Sequence, residues 1–297
     1  MNETLESLRH KIEGAEKLES VVRTMKALSA ASISQYERAV QSLDNYYRTV
    51  QLGLGVCFRQ VKELPLLMQK PPEKAAPIGA IVFGAGQGLV GPFNDVIVNF
   101  AANTLRALPG EKNIWAAGEA VQARLEDAGL PPTRLFAVPN SIHAITPLVG
   151  ELLTGIEESL EAGQAARFYL FHNRPGEGAA YEPAGRCFIP LDEIWRREFT
   201  TLQWPSKNIP EPMGDVAPTL TALVREYLFV SLYKACAESL ASENASRLAA
   251  MQRAEKNIQE LIQGFSLAFH HLRQESIDEE LFDLIAGAEA LGENPQL

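Results

Sequence analysis

The chain has 297 residues, with 37 acidic against 27 basic side chains and a net charge of −10. That balance excludes broad nucleic-acid binding, which needs a basic face. A 46% hydrophobic, 22% charged composition is that of an ordinary soluble globular protein, large enough for one sizeable domain or two modest ones. The three cysteines (Cys57, Cys187, Cys236) form no CxxC pair, so neither a disulfide framework nor a zinc site is expected, and a reducing compartment fits. The first residues show no basic segment followed by an apolar one, so no secretory signal is expected. No stretch approaches the roughly 18 uninterrupted apolar residues of a membrane span.

From Glu3 to about Lys62 there is no proline, and apolar residues recur every three or four positions: Leu5, Leu8, Ile12, Ala15, Leu18, Val22, Met25 and Leu28. This spacing predicts a long helix, ended by Pro65, Pro71, Pro72 and Pro77. The middle of the chain changes character. Short apolar runs at 78–83, 113–117, 135–138 and 167–172 alternate with helical patterns at 93–108, 119–128 and 147–160. Such alternation predicts a Rossmann-like α/β domain with a mostly parallel sheet. A further run, 185–191, follows 167–172 without room for a helix, so those two strands are expected to pair antiparallel. The Pro-rich segment 204–218 closes this domain.

From Thr219 to about Ala286 proline is again absent. Met251, Ala254, Ile258, Leu261, Phe265, Ala268 and Leu272 alternate steps of three and four, the seam of a coiled coil. A helix this long runs on the order of 100 Å, and its N-terminal counterpart roughly 80 to 90 Å. Neither can bury its length on a middle domain about 30 to 40 Å across. The predicted fold is therefore α/β, with a long antiparallel coiled coil of the terminal helices projecting from the central domain. Its parts are an N-terminal coil helix at 1–64, the α/β domain at 78–213 and a C-terminal coil helix at 216–288. Bundles of shorter helices broken at Gly53, Gly55 and Gly264 remain the alternative.

Gly86-Gln87-Gly88-Leu89-Val90-Gly91 reads GxGxxG between a strand and a helix, a pattern able to cradle a pyrophosphate. The acidic residue wanted at the end of the second strand is missing from Asn113–Gly118, and only Glu119 beyond it could serve. The five histidines are scattered; adjacent His270 and His271 diverge by about 100° on a helix and cannot readily chelate one metal. No catalytic group, cofactor or metal is expected, and the glycines are read as a tight turn. A nicotinamide-dependent oxidoreductase using this loop, and a plain coiled-coil scaffold, are the competing readings.

The terminal helices carry a resemblance. Glu226-Tyr227-Leu228-Phe229-Val230-Ser231-Leu232-Tyr233 and then Glu238-Ser239-Leu240-Ala241-Ser242-Glu243-Asn244-Ala245-Ser246-Arg247-Leu248-Ala249-Ala250-Met251 resemble the C-terminal signature of the F-type ATP synthase gamma subunits. Arg273-Gln274-Glu275-Ser276-Ile277 continues it. Thr24-Met25-Lys26-Ala27-Leu28-Ser29-Ala30-Ala31 is similar to the family's N-terminal helix, and Gly88-Leu89-Val90-Gly91-Pro92-Phe93-Asn94 to its GLCGxxN turn. The resemblance is collinear over nearly the whole chain. Departures fall at Gly86 and Val90, where the family usually has Asp and Cys, at Lys26, commonly acidic, and at the extended C-terminus. They point to a divergent member, for which the sodium-translocating N-type group is one candidate.

The resemblance implies a non-catalytic rotor shaft that couples ion-driven rotation of a membrane ring to ATP synthesis or hydrolysis. Its expected partners are the alpha and beta subunits, the epsilon subunit and the membrane c-ring, with a peripheral place on the cytoplasmic face of the inner membrane. It also implies partner contacts. Met25, with Lys26 beside it, matches the coupling region. Arg247 and Gln274 match positions that touch the catalytic subunits, and Glu211 matches a residue near the membrane ring. Arg247 and Gln274 lie about 40 Å apart along one helix, too far for one compact site.

Overall fold

The computed structural model describes residues 4–60, 76–177, 180–191, 193–208 and 210–292; the prolines at 65, 71 and 72 and the last five residues fall outside them. Helix α1 spans Leu5–Phe58. Thr4 starts it, its hydroxyl accepting the Ser7 amide at 3.2 Å. Helix α6 spans Val216–Gly292 and is capped by Asp215, whose carboxylate accepts the Ala217 amide at 3.1 Å. Pro218 sits in its first turn, where a missing amide costs no helical bond. Neither helix breaks at Gly53, Gly55 or Gly264, so the bundle alternative fails. No described helix is long and apolar enough to cross a membrane.

The chain divides into two units, one from Met1–Leu28 with Leu248–Leu297 and one from Ser29–Arg247. In the first, α1 and α6 pair antiparallel: Glu19 meets Gln259, while the earlier Lys11 lies over the later Phe265 ring at 5.5 Å. Leu8, Ala15 and Met251 are buried. Ile12, Glu19, Val22 and Lys26 on α1, with Glu255, Ile258, Ile262, Phe265, Phe269 and Leu272 on α6, are half-buried. These steps of three and four form a heptad seam, though not quite the expected one. Leu18, Leu28 and Leu261 are 60%, 64% and 53% exposed. Glu19 and Ile262, one position on, turn inward instead of Leu18 and Leu261.

In the second unit the strands are β1 (Ile78–Phe83), β2 (Lys112–Ala117), β3 (Pro132–Phe136), β4 (Arg167–Arg174) and β5 (Glu182–Ile189), in sheet order β3-β2-β1-β4-β5. All pairs are parallel except β4–β5. Helices α2 (Phe93–Arg106), α3 (Glu119–Asp127) and α4 (Ile145–Glu161) make the crossovers. One face of the sheet packs Ala80, Val82, Ile114 and Phe171 against α2 and α3. The other packs Ile81, Phe83, Trp115 and Phe168 with α4, the C-terminal half of α1 and the N-terminal part of α6. Covered on both sides, β1 is buried at all six positions.

Helix α5 (Glu193–Thr200) was not legible in the sequence. Its Trp195 and Phe199 stack edge-to-face at 4.5 Å and meet Tyr227 of α6. Gly55 makes room for its C-terminal end, since a Cβ there would sit 2.5 Å from the Phe199 carbonyl oxygen.

Candidate partner-contact residues

The glycine loop serves a turn. Only Gly91 of the three pattern glycines takes a left-handed φ, +57°. A side chain at Gly86 would reach ordinary contact with Val138 at 3.4 Å, and one at Gly88 would meet nothing within 4 Å. Close approach is required instead at Gly84, against Val121 of α3. Val90 is buried with Phe93, and its carbonyl accepts the Ser246 hydroxyl of α6 at 2.5 Å. The Ala85 amide donates to Asn94 at 2.9 Å. The loop is thus closed by the protein's own groups, and the nicotinamide reading has no support. Among the described residues no His, Cys, Asp or Glu cluster could hold a metal.

Met25 is half-buried on α1. Beside it Lys26 forms a 2.5 Å ion pair with Glu255 of α6. Arg23 bridges Glu19 at 2.9 Å and Glu255 at 3.6 Å, and Gln259 donates to Glu19 at 2.9 Å. The hydrogen bond from Lys26, then the charges of Lys26 and Arg23, hold the Glu255 carboxyl below the ordinary glutamate range against its desolvation.

Arg247 pairs with Glu243 one helical turn earlier, at 2.5 Å. Glu243 is only 6% exposed. Burial pushes its carboxyl above the ordinary range, while the Arg247 charge and hydrogen bond pull it down. Arg247 therefore has a task inside its own helix. Gln274 and Glu211 are exposed and make no side-chain hydrogen bond or ion pair among the described residues. The structure brings Lys26 together with a polar cluster that sequence reading missed: Glu19, Arg23, Glu255 and Gln259. Its signal was present as charged residues one position from the assumed seam.

The ATP synthase family profile matches residues 4–291. The ATP synthase gamma chain of Pelotomaculum thermopropionicum is 24% identical over 302 residues, covering 97% of this chain and 99% of its own. That of a Cyanothece species is 27% identical over 322 residues, covering 97% and 99%. Among solved structures, a chain of the Euglena gracilis mitochondrial ATP synthase (OSCP/F1/c-ring, rotational state 3) shares the fold with a TM-score of 0.66. It is 17% identical, with 99% of this chain and 97% of that chain covered. With a profile spanning nearly every residue, and relatives aligned end to end, the chain belongs to the gamma-chain family of ATP synthases.

Proposed function

We propose that this chain is the central rotor shaft of an ATP synthase, itself without catalytic groups. Its helix pair turns inside the ring of alpha and beta subunits. The α/β part, near residues 78–213, sits with the epsilon subunit on the membrane c-ring, and α1 and α6 form the shaft. Ion-driven rotation of the c-ring is exchanged for ATP synthesis or hydrolysis in the catalytic subunits. The chain itself stays peripheral, on the cytoplasmic face of the inner membrane.

Beyond family membership, the observation that carries this reading is the outer surface of the helix pair. An isolated two-stranded coil hides its large apolar side chains in the seam. Here Leu18 and Leu28 on α1, with Leu261 and Leu267 on α6, are between 53% and 72% exposed. Apolar surface facing outward on both helices suits a shaft enclosed by other subunits. Within this reading Gln274 and Glu211 offer unengaged side chains to partners, while Met25, Lys26 and Arg247 shape the shaft where the ring closes on it.

An affinity-tagged copy expressed in its native host tests the proposal. It should emerge in a large assembly that hydrolyses ATP. Recovery of the chain alone, with no ATPase activity in any fraction containing it, would refute the shaft role.

A further inference from the structure

Glu243 is a carboxylate on the closed side of α6, where Ser239, Ser242 and Ser246 are buried beside it. Tyr36 of α1 is buried as well and lies close enough to feel its charge. Ser246 is committed to the Val90 carbonyl at 2.5 Å. Among the described residues the only side chain donating to the Glu243 carboxylate is Arg247, at 2.5 Å.

The other charged groups nearby are turned elsewhere. Glu37 and Arg38, beside Tyr36 on α1, are exposed, and Arg38 donates to the Ser34 carbonyl at 2.9 Å. His172 of β4 pairs with Glu238, earlier on α6, at 2.8 Å. The loop before α2, residues 84–92, holds no charged residue. Burial raises the pKa of both Tyr36 and Cys236, so neither carries charge at neutral pH. Arg247 is therefore the one cation acting on Glu243 among the described residues. Even with it in place, burial leaves the carboxyl above its ordinary range.

A buried carboxylate stripped of its cation neutralises itself by taking up a proton. The Arg247 side chain is 14% exposed, so it must swing away from Glu243 to meet another protein. Its planar fork fits a carboxylate on a neighbour as well as it fits Glu243.

We propose that Glu243 and Arg247 form a proton-linked clasp: the pair holds the guanidinium on α6, and its capture by a carboxylate of a neighbouring subunit is accompanied by protonation of Glu243. One proton passes from solvent to the carboxylate, and Arg247 keeps its charge throughout. Acid thus favours the released arginine and alkali the clasped one. The capture step rests on the shaft reading; the exchange of cation for proton at Glu243 does not.

Denaturant titrations of the full chain carrying Arg247→Gln, against Arg247→Gln with Glu243→Gln, test the exchange. A carboxyl with a raised folded pKa stabilises fully below its unfolded value, about 4.3, and loses that contribution as pH rises through the folded value. The unfolding constant of Arg247→Gln should rise at least about tenfold more than that of the double variant between pH 5 and 8. If Arg247→Gln does not fold at pH 8, folding regained at pH 5 or through Glu243→Gln is the same result. Parallel profiles, or no recovery by either route, overturn the clasp. Binding of the full chain to its purified catalytic subunits tests the capture. Glu243→Gln should bind at least about tenfold more tightly at pH 8, and the unaltered chain more tightly as pH falls. Affinity indifferent to pH and to Glu243→Gln overturns the capture step, whereas no binding by any variant refutes the shaft reading instead.

Discussion

Lys26 Nζ and Glu255 Oε2 meet at 2.5 Å across the helix pair, both at positions where a coiled coil ordinarily places apolar side chains. A charged pair in a seam gives up hydrophobic burial but fixes which residues face each other. Here Arg23, Glu19 and Gln259 extend it into a network, so a slip of the helices would break several charge-assisted bonds at once. Lys26→Glu should therefore destabilise the helix pair, and Lys26→Glu with Glu255→Lys should recover most of the loss. Thermal melts of the single and double variants check this; equal melting temperatures in all of them would contradict the pairing.

The same pair has a pH signature. Because the folded Glu255 carboxyl lies below the ordinary glutamate range, its stabilisation is complete above the unfolded value, about 4.3. It is lost as pH falls through the lowered folded value. The difference in stability between the unaltered chain and Glu255→Gln should be constant near neutral pH and vanish in that acid window. Denaturant titrations at a series of pH values measure it.

The seam register can be tested at two adjacent residues. Ile262 is half-buried and Leu261 is 53% exposed. Ile262→Asp should cost about 2 to 4 kcal/mol by placing a carboxylate in the helix interface. Leu261→Asp should change stability by less than about 0.5 kcal/mol. Ile258→Asp should behave like Ile262→Asp. The reverse ranking would restore the register expected from apolar spacing alone.

Two helical glycines should respond oppositely to alanine. A Cβ at Gly55 would lie 2.5 Å from the Phe199 carbonyl oxygen, whereas one at Gly264 meets nothing within 4 Å. Gly55→Ala should cost about 1 to 3 kcal/mol by forcing α5 away. Gly264→Ala should stabilise by roughly 0.5 to 1 kcal/mol through better helix propensity. Chemical denaturation distinguishes them.

Arg247 and Gln274, paired by family resemblance, separate on structural grounds. Arg247→Ala leaves the buried Glu243 without its cation and should lower stability by roughly 3 kcal/mol, a loss that Glu243→Gln in the same chain should reduce. Gln274→Ala should leave the melt unchanged and, if Gln274 contacts a catalytic subunit, lower the assembly's ATPase turnover. Normal turnover in Gln274→Ala would remove it from the contact set.

Much of the fold was legible because its periodicities are strong. The run 78–83 became β1 residue for residue, and the lack of room for a helix before 185 correctly implied an antiparallel β4–β5 pair. The errors have physical causes. Apolar spacing assigned Leu18 and Leu261 to the seam because outward-facing positions of this helix pair are also apolar, so hydrophobicity no longer marks the buried side. Helix α5 is only eight residues long, set among prolines and glycines, and its Trp195 and Phe199 contacts come from distant helices.

Rotation of this chain relative to the catalytic ring tests the central claim most directly. Cys187 is exposed on β5 while Cys57 and Cys236 are buried, so a thiol-reactive probe can be directed to Cys187. With the assembly immobilised through its catalytic subunits, ATP should drive stepwise, one-directional rotation of the probe that stops when ATP is withdrawn. A probe that stays fixed in an assembly actively hydrolysing ATP would contradict the shaft assignment.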